Sequence, residues 1–223
     1  MGITMTGERN ISFPMKRKIK VQPPYSNVSY DFSELYGDQI YDERALFYQF
    51  NLIDYAHLDY SGVQQRATVI ANWLLDSGGK VRLQDDDISG YYFLAEVEGD
   101  LDIQHFIQFG LLNVTFIAYP FKIATRPEGH DIWDEFNFEL DVAQPTEFTI
   151  SGTRTIKLIN NGIKAITPTI TTSSAMTVKI ANQTYNLNSG TTHNDRLQIP
   201  KGANNITLTG NGTIKFDFHK ELI

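Results

Sequence analysis

The sequence predicts a mainly β protein built from two domains, and three observations carry that expectation. Apolar and polar residues alternate along most of the chain, the period of strands with one buried face. A single segment, residues 61–75, repeats instead at helical period. Composition and charge also shift together near residue 145. Residues 1–145 hold 11 Lys/Arg against 22 Asp/Glu, whereas residues 146–223 hold 8 against 4, within a total charge of −7. The aromatic residues divide in the same place, because only Phe148, Tyr185, Phe216 and Phe218 follow residue 145. Such a joint shift predicts domains at 1–145 and 146–223. The first is expected as a β-sandwich with one α-helix, the second as a small antiparallel β-sandwich.

Residues 1–36 read as an extended arm or irregular strands. Ile11, Phe13 and Met15 alternate with polar residues around Pro14, and Lys16-Arg17-Lys18-Ile19-Lys20 is the one strong basic cluster. It has two readings: a solvated edge strand whose lysines discourage edge pairing, or a contact with an acidic neighbouring subunit. Residues 45–53, rich in aromatic and branched side chains, read as a strand. Ser61 and Gln64 stand at capping-box spacing, which makes Ser61 the expected N-cap. Val63, Ala67, Ile70, Ala71, Leu74 and Leu75 then form one apolar helix face, with Trp73 beside it as a half-buried packing aromatic. Ser77-Gly78-Gly79 stops the helix.

Residues 80–84 and 91–98 read as strands flanking Asp85-Asp86-Asp87. The triplet lacks the alternate ligand positions and closing Glu of a calcium loop, so a solvated turn is the expectation. Residues 111–119 form a long strand apolar on both faces, ended by Pro120. Arg126 to His130 is a turn-rich break, after which Phe136, Phe138 and Leu140 resume the alternation. Beyond Phe148 about eight short strands are expected, separated by turns at Asn161-Gly162, Ser189-Gly190, Lys201-Gly202 and Asn211-Gly212. The many threonines suit exposed strand faces.

No catalytic constellation emerges. His57, His105, His130, His193 and His219 are scattered without metal-ligand spacing. No nucleophile elbow or phosphate loop is present, and the absence of cysteine removes thiolate chemistry and disulfides. The approach of paired carboxylates, as in glycoside hydrolysis, is set by the fold and stays open. The expectation is therefore no enzyme, with no catalytic, cofactor-binding or metal site. Net acidity argues against nucleic acid, and no run of about 18 apolar residues argues for a membrane span. The N-terminus lacks signal-peptide character, so synthesis and folding in a reducing cytoplasm are expected. Six Asn-X-Ser/Thr matches are then chance products of a Thr- and Asn-rich sequence.

The order of several segments resembles the distal tail proteins of siphophages that infect Gram-positive bacteria. The segments are Gly7 to Pro14, Arg66 to Leu75, Leu83 with Asp85-Asp86, Tyr91 to Val97, and Asn113 to Phe116 followed by Tyr119-Pro120-Phe121. Ile199 to Gly202, Asn205-Ile206 and Gly212 to Phe218 continue it more loosely. The resemblance implies a virion structural protein at the distal end of the tail, made in the bacterial host cytoplasm. It implies a ring, six-membered in that family, that joins the major tail tube protein to the tail-associated baseplate hub protein. It also implies a galectin-like or carbohydrate-module-like C-terminal domain, which contacts a receptor-binding protein or a cell-wall saccharide in larger members. The short, aromatic-poor C-terminal domain here argues for weak or no sugar binding. Two rival readings are a free-standing carbohydrate-binding module for host cell-wall attachment and a prophage-derived surface protein.

Overall fold

The computed structural model describes residues 3–35, 37–98, 101–106 and 108–223. Over these residues the chain is mainly β, with curled sheets and one α-helix. It separates into two compact units, residues 1–85 with 92–122 and Ile223, and residues 86–91 with 123–222.

In chain order the first unit contains β1 (Ile3–Ile11), β2 (Lys20–Val21), β3 (Tyr30–Asp31), β4 (Arg44–Leu52), α1 (Tyr60–Leu75), β5 (Val81–Leu83), β6 (Tyr91–Val97), β7 (Asp102–His105) and β8 (Gly110–Ala118). Its sheet runs β1-β4-β8-β6, with β5 on β6 and β7 on β8. These pairings are antiparallel. The alternation of the sequence sets the buried face. Leu46, Tyr48 and Leu52 of β4 are buried, as are Leu112, Val114 and Ala118 of β8. The register pairs Tyr48 with Val114 and Phe50 with Leu112. The other face of β8, with Leu111, Ile117 and Tyr119, is half-buried, in keeping with its two-sided apolar pattern.

Helix α1 packs on this sheet through Ala67 and Ile70, which share a core with Leu52, Leu112 and Val114. The Ile, Leu and Val side chains of this core each contribute about 1.5–3 kcal/mol relative to exposure. One glycine permits the close approach of helix to sheet, and a second the approach of the helix to the loop before it. A Cβ on Gly110 would stand 2.9 Å from Val63 Cγ1, and a Cβ on Gly62 would stand 2.1 Å from the His57 carbonyl oxygen. The N-cap is Asp59 and not Ser61. Asp59 has extended backbone, and its Oδ1 accepts from the Gly62 N–H at 2.8 Å. The aspartate two residues upstream holds the cap because its carboxylate reaches the third helical N–H. Ser61 lies inside the first turn.

The N-terminal residues are more regular than expected. Residues 3–11 form an edge strand on β4, with a register shift between Met5 and Arg9 where Gly7 takes a φ of 92°. The turn after β5 is also less solvated than expected. The Asp85 side chain is buried, receiving Arg9 Nη1 at 2.8 Å and the Tyr48 hydroxyl at 3.0 Å. Asp86 and Asp87 are exposed.

The second unit contains β9 (Lys122–Ala124, from Ile123), a 3-10 turn at Trp133–Glu135, β10 (Glu147–Asn160), β11 (Thr169–Thr172), β12 (Met176–Ile180), β13 (Gln183–Leu187), β14 (Gly190–His193), β15 (Gly202–Asp217) and β16 (Glu221–Leu222). The strand β10 pairs with β15 over its whole length, Glu147 with Lys215 through Asn160 with Gly202. On its other side β15 carries β12 along one half and β11 along the other, in the order β13-β12-β15-β11-β14. Gly152, Gly210 and Gly212, all at positive φ, lie where the two halves meet. Asn211-Gly212 is therefore a bend inside one sixteen-residue strand rather than a turn between two. A continuous partner in β10 holds the ladder through the glycines. The two halves share one core of Ile156, Leu158, Val178, Leu208, Ile214 and Phe216, among others. Residues 146–223 hold seven strands where about eight were expected, because Leu197 and Ile199 are buried in a connecting segment. Residues 136–140 form turns and not a strand. Asn137 accepts from its own neighbours Glu139 and Leu140, a local bond that competes with a ladder.

Candidate interaction surface

Residues 12–42 leave the first unit's sheet as a long antiparallel arm. The Asp42 N–H donates to the Met15 carbonyl at 2.8 Å, Arg17 N–H to Ile40 at 2.9 Å and Phe32 N–H to Ile19 at 2.8 Å. Two ion pairs brace it, Arg17–Asp42 at 2.6 Å and Lys18–Asp31 at 3.1 Å. Half of the basic cluster is thus spent on the arm's own ladder. Asp31 also accepts from the Ser33 N–H at 2.9 Å and from its hydroxyl, and Ile19 N–H donates to Ser33 Oγ at 2.9 Å. These bonds from Ser33, helped by Lys18, hold the Asp31 carboxyl down at about 2.

The arm buries little of its own apolar surface. Phe13 is 74% exposed and Met15 73%, and Ile19, Val21, Tyr25, Val28, Tyr30, Leu35 and Ile40 are exposed as well. Contiguous apolar exposure on this scale marks an interaction surface. Its root is anchored by the buried Arg44, whose Nε donates to the Ser12 carbonyl at 2.7 Å and whose guanidinium stacks 5.0 Å from the Phe93 ring centre.

A second apolar surface lies at the end of α1. Trp73, Leu74, Val81, Leu83, Val97 and Phe116 line a groove of about 400 Å³. Trp73 is 61% exposed and Leu75 is also exposed. Neither is the packing residue that the helix pattern suggested. The apolar face turns past the sheet in its last turn, so only Leu74 remains partly packed there.

The sequence did not point to the second unit's charged cluster. Lys220 Nζ is buried, donates to the Leu140 carbonyl at 3.0 Å, pairs with Asp141 and stands 3.7 Å from Glu128 Oε1. Burial pushes the Glu128 carboxyl up, and the facing ammonium only partly offsets it. Burial likewise pushes the Lys220 ammonium down. Residues so far apart in sequence meet only in the fold, which is why no motif announces them. The five histidines do not converge: His57 lies beside Asp54, His105 against Tyr60, His130 against the Ile132 N–H, His193 beside Asp195, and His219 against the Ala124 carbonyl. Among the described residues no group of three His, Asp or Glu side chains is placed to hold a metal ion. Among the described residues no helix is long and apolar enough to cross a membrane.

The fold is similar to a solved structure, that of SPP1 Dit (gp 19.1), described as a paradigm of the hub adsorption apparatus in phages infecting Gram-positive bacteria. The TM-score is 0.63 at 13% identity, covering 97% of this chain and 93% of that one. At that identity the likeness is one of fold. No protein-family model matches the chain, and no curated protein matches it in sequence.

Proposed function

We propose that this protein is a structural, non-enzymatic component of a phage tail tip, in which copies of the first unit form a head-to-tail ring. The observation that carries the reading is the apolar arm of residues 12–42 on a chain with the fold of a tail hub protein. An arm and a groove on one unit are different surfaces, so their pairing between copies is heterologous, and a heterologous contact that closes makes a ring. Six copies is the expected number, with the ring at the distal end of the tail between the tail tube protein and the tail-associated hub protein. In this reading residues 1–145 supply the ring and residues 146–223 form a separate sandwich.

Multi-angle light scattering of the full chain tests the ring. The expected mass is six times 25.3 kDa. Exchanging Met15 and Leu35 together for Asp is expected to leave folded monomers, because both side chains are exposed and contribute little to the unit's own core. A wild-type protein that stays monomeric, alone and with the hub partner, overturns the reading.

A further inference from the structure

The charged cluster of the second unit has the composition of a reaction centre rather than of a simple ion pair. Lys220 Nζ is in direct contact with Asp141 Oδ1, and Glu128 Oε1 stands 3.7 Å from the same nitrogen. The Lys220 and Glu128 side chains are only 4% and 5% exposed, and that of Asp141 13%. Backbone bonds hold all three in place. Ala124 N–H donates to the Lys220 carbonyl at 3.0 Å, Glu128 N–H to Phe218 at 2.8 Å and Asp141 N–H to Asn137 at 2.8 Å. The second carboxylate oxygen of Asp141 is also engaged, because Oδ2 accepts from the Asn137 N–H at 2.7 Å. An amine, a carboxyl group and a second acid are thus fixed against one another, with no mobile partner to bring in.

We propose that Lys220 and Asp141 condense spontaneously into an intramolecular isopeptide bond, with Glu128 as the proton shuttle. The Nζ–Cγ bond forms and the Cγ–Oδ1 bond breaks. Glu128 relays the surplus protons of the ammonium to Oδ1, which leaves as water, and one proton stays on the amide nitrogen. An ammonium and a carboxylate become a neutral amide and water, and Glu128 ends as it began. Negative charge that develops on Oδ2 in the tetrahedral intermediate meets the Asn137 N–H already aimed at it. Burial pushes the Lys220 ammonium down and the Glu128 carboxyl up, toward the free amine and the protonated acid that the step uses. The product removes two buried charges, whose desolvation is costly. A cavity of about 330 Å³ reaches Glu128, Asp141 and Lys220 and gives the water a way out. The bond would tie the segment before β10 to the segment between β15 and β16. In a chain without cysteine it supplies the long-range staple that a disulfide otherwise provides.

The bond does not depend on the ring, and its test is a mass. Intact mass spectrometry of the denatured full chain is expected to give the mass of the sequence less one water. Trypsin is expected to release a branched peptide that joins residues 123–154 to residues 216–223, since a blocked Lys220 is no longer a cleavage site. Lys220→Arg keeps the positive charge but is expected to carry the full mass. Glu128→Gln, with the amine and Asp141 both present, is expected to carry it too. The branched peptide of the wild type decides the proposal whether or not either variant folds. A wild-type chain of full mass with only linear peptides overturns it. So does a loss of water that persists in Lys220→Arg, and complete cross-linking in Glu128→Gln removes the shuttle.

Discussion

The Tyr48 hydroxyl donates a 3.0 Å hydrogen bond to the Asp85 carboxylate, which joins the middle of β4 to the end of the β5 segment. Arg9 of β1 reaches the same carboxylate at 2.8 Å. Three stretches distant in sequence therefore meet on one acid. The Tyr48 hydroxyl is pushed up from its ordinary range by burial first and by the Asp85 charge second. It stays a neutral donor. Asp85→Ala is expected to cost about 1–3 kcal/mol, the penalty of leaving a buried donor unmet. Tyr48→Phe removes the donor with its ring intact, and Arg9 still serves Asp85, so its cost is expected to be smaller. Urea denaturation of both variants checks the order. Equal stability of Asp85→Ala and wild type would return Asp85 to the solvated turn with Asp86 and Asp87.

The start of α1 separates two caps that the sequence alone confuses. Asp59→Ala is expected to cost about 1 kcal/mol, a usual cap loss, and Ser61→Ala less than about 0.5 kcal/mol, as an exposed change away from special features. Gly62→Ala is expected to be the most damaging of the three. Its Cβ has no room against the His57 carbonyl, a backbone atom that yields only by moving the loop. Thermal melts of the three variants decide this, and a Ser61→Ala loss equal to that of Asp59→Ala would restore the original capping box.

The sheet of the first unit was legible because one face of β4 and β8 is buried, and burial writes itself as alternation. The helix was legible for the same reason over Val63, Ala67 and Ile70. It failed at Trp73 and Leu75, because a helical pattern shows which residues share a face but not where the sheet beneath it ends. Asn211-Gly212 failed for a related reason. The dipeptide is a good turn former, but whether the ladder breaks there depends on the partner strand, and β10 runs straight past it. The aromatic cluster at Trp133, Phe136 and Phe138 was assigned to the first domain by composition. It lies instead within the second compact unit, to which the neighbouring Leu140 carbonyl is tied by Lys220 and Gln144 by Ile159.

Acid should loosen the arm before it loosens the core. The Asp31 carboxyl sits at about 2, below its ordinary 3.8, because Ser33 and then Lys18 hold its charged form. A depressed carboxyl stabilises the fold above its unfolded value and loses that contribution as pH falls toward the folded one. The arm's hairpin is therefore expected to weaken from about pH 4 to about pH 2. A 13C NMR titration of the side-chain carboxyl should show the depressed midpoint, and Ser33→Ala should move it back toward 3.8. An ordinary midpoint in the wild type would show that Ser33 does not bind the charged form.

The last prediction concerns where the second folding unit begins. Composition breaks at residue 145, and β10 starts at Glu147, so a fragment 146–223 carries the strands β10 to β15 with their shared core, and β16 without its neighbour β9. It is expected to fold, because Ile214 and Phe216 pair and pack inside this unit, β15 being flanked by β10 and β11. Residues 123–145 nevertheless add bonds that the shorter fragment lacks. Gln144 behaves like a strand neighbour, with its Oε1 accepting from the Ile159 N–H at 2.8 Å and its Nε2 donating to the Ile159 carbonyl at 2.7 Å. Glu128 N–H donates to Phe218 at 2.8 Å and Ala124 N–H to Lys220 at 3.0 Å. The shorter fragment also deprives the buried Lys220 of the Leu140 carbonyl, Asp141 and Glu128. At about 1 kcal/mol net for each bond, a fragment 123–223 is expected to exceed 146–223 by more than about 4 kcal/mol in urea. Gln144→Ala in the longer fragment removes two of these bonds and should lose about 2 kcal/mol of that difference. Fragments of equal stability would show that residues 123–145 contribute nothing to the sandwich, and the boundary would then lie at residue 145 in energy as well as in composition.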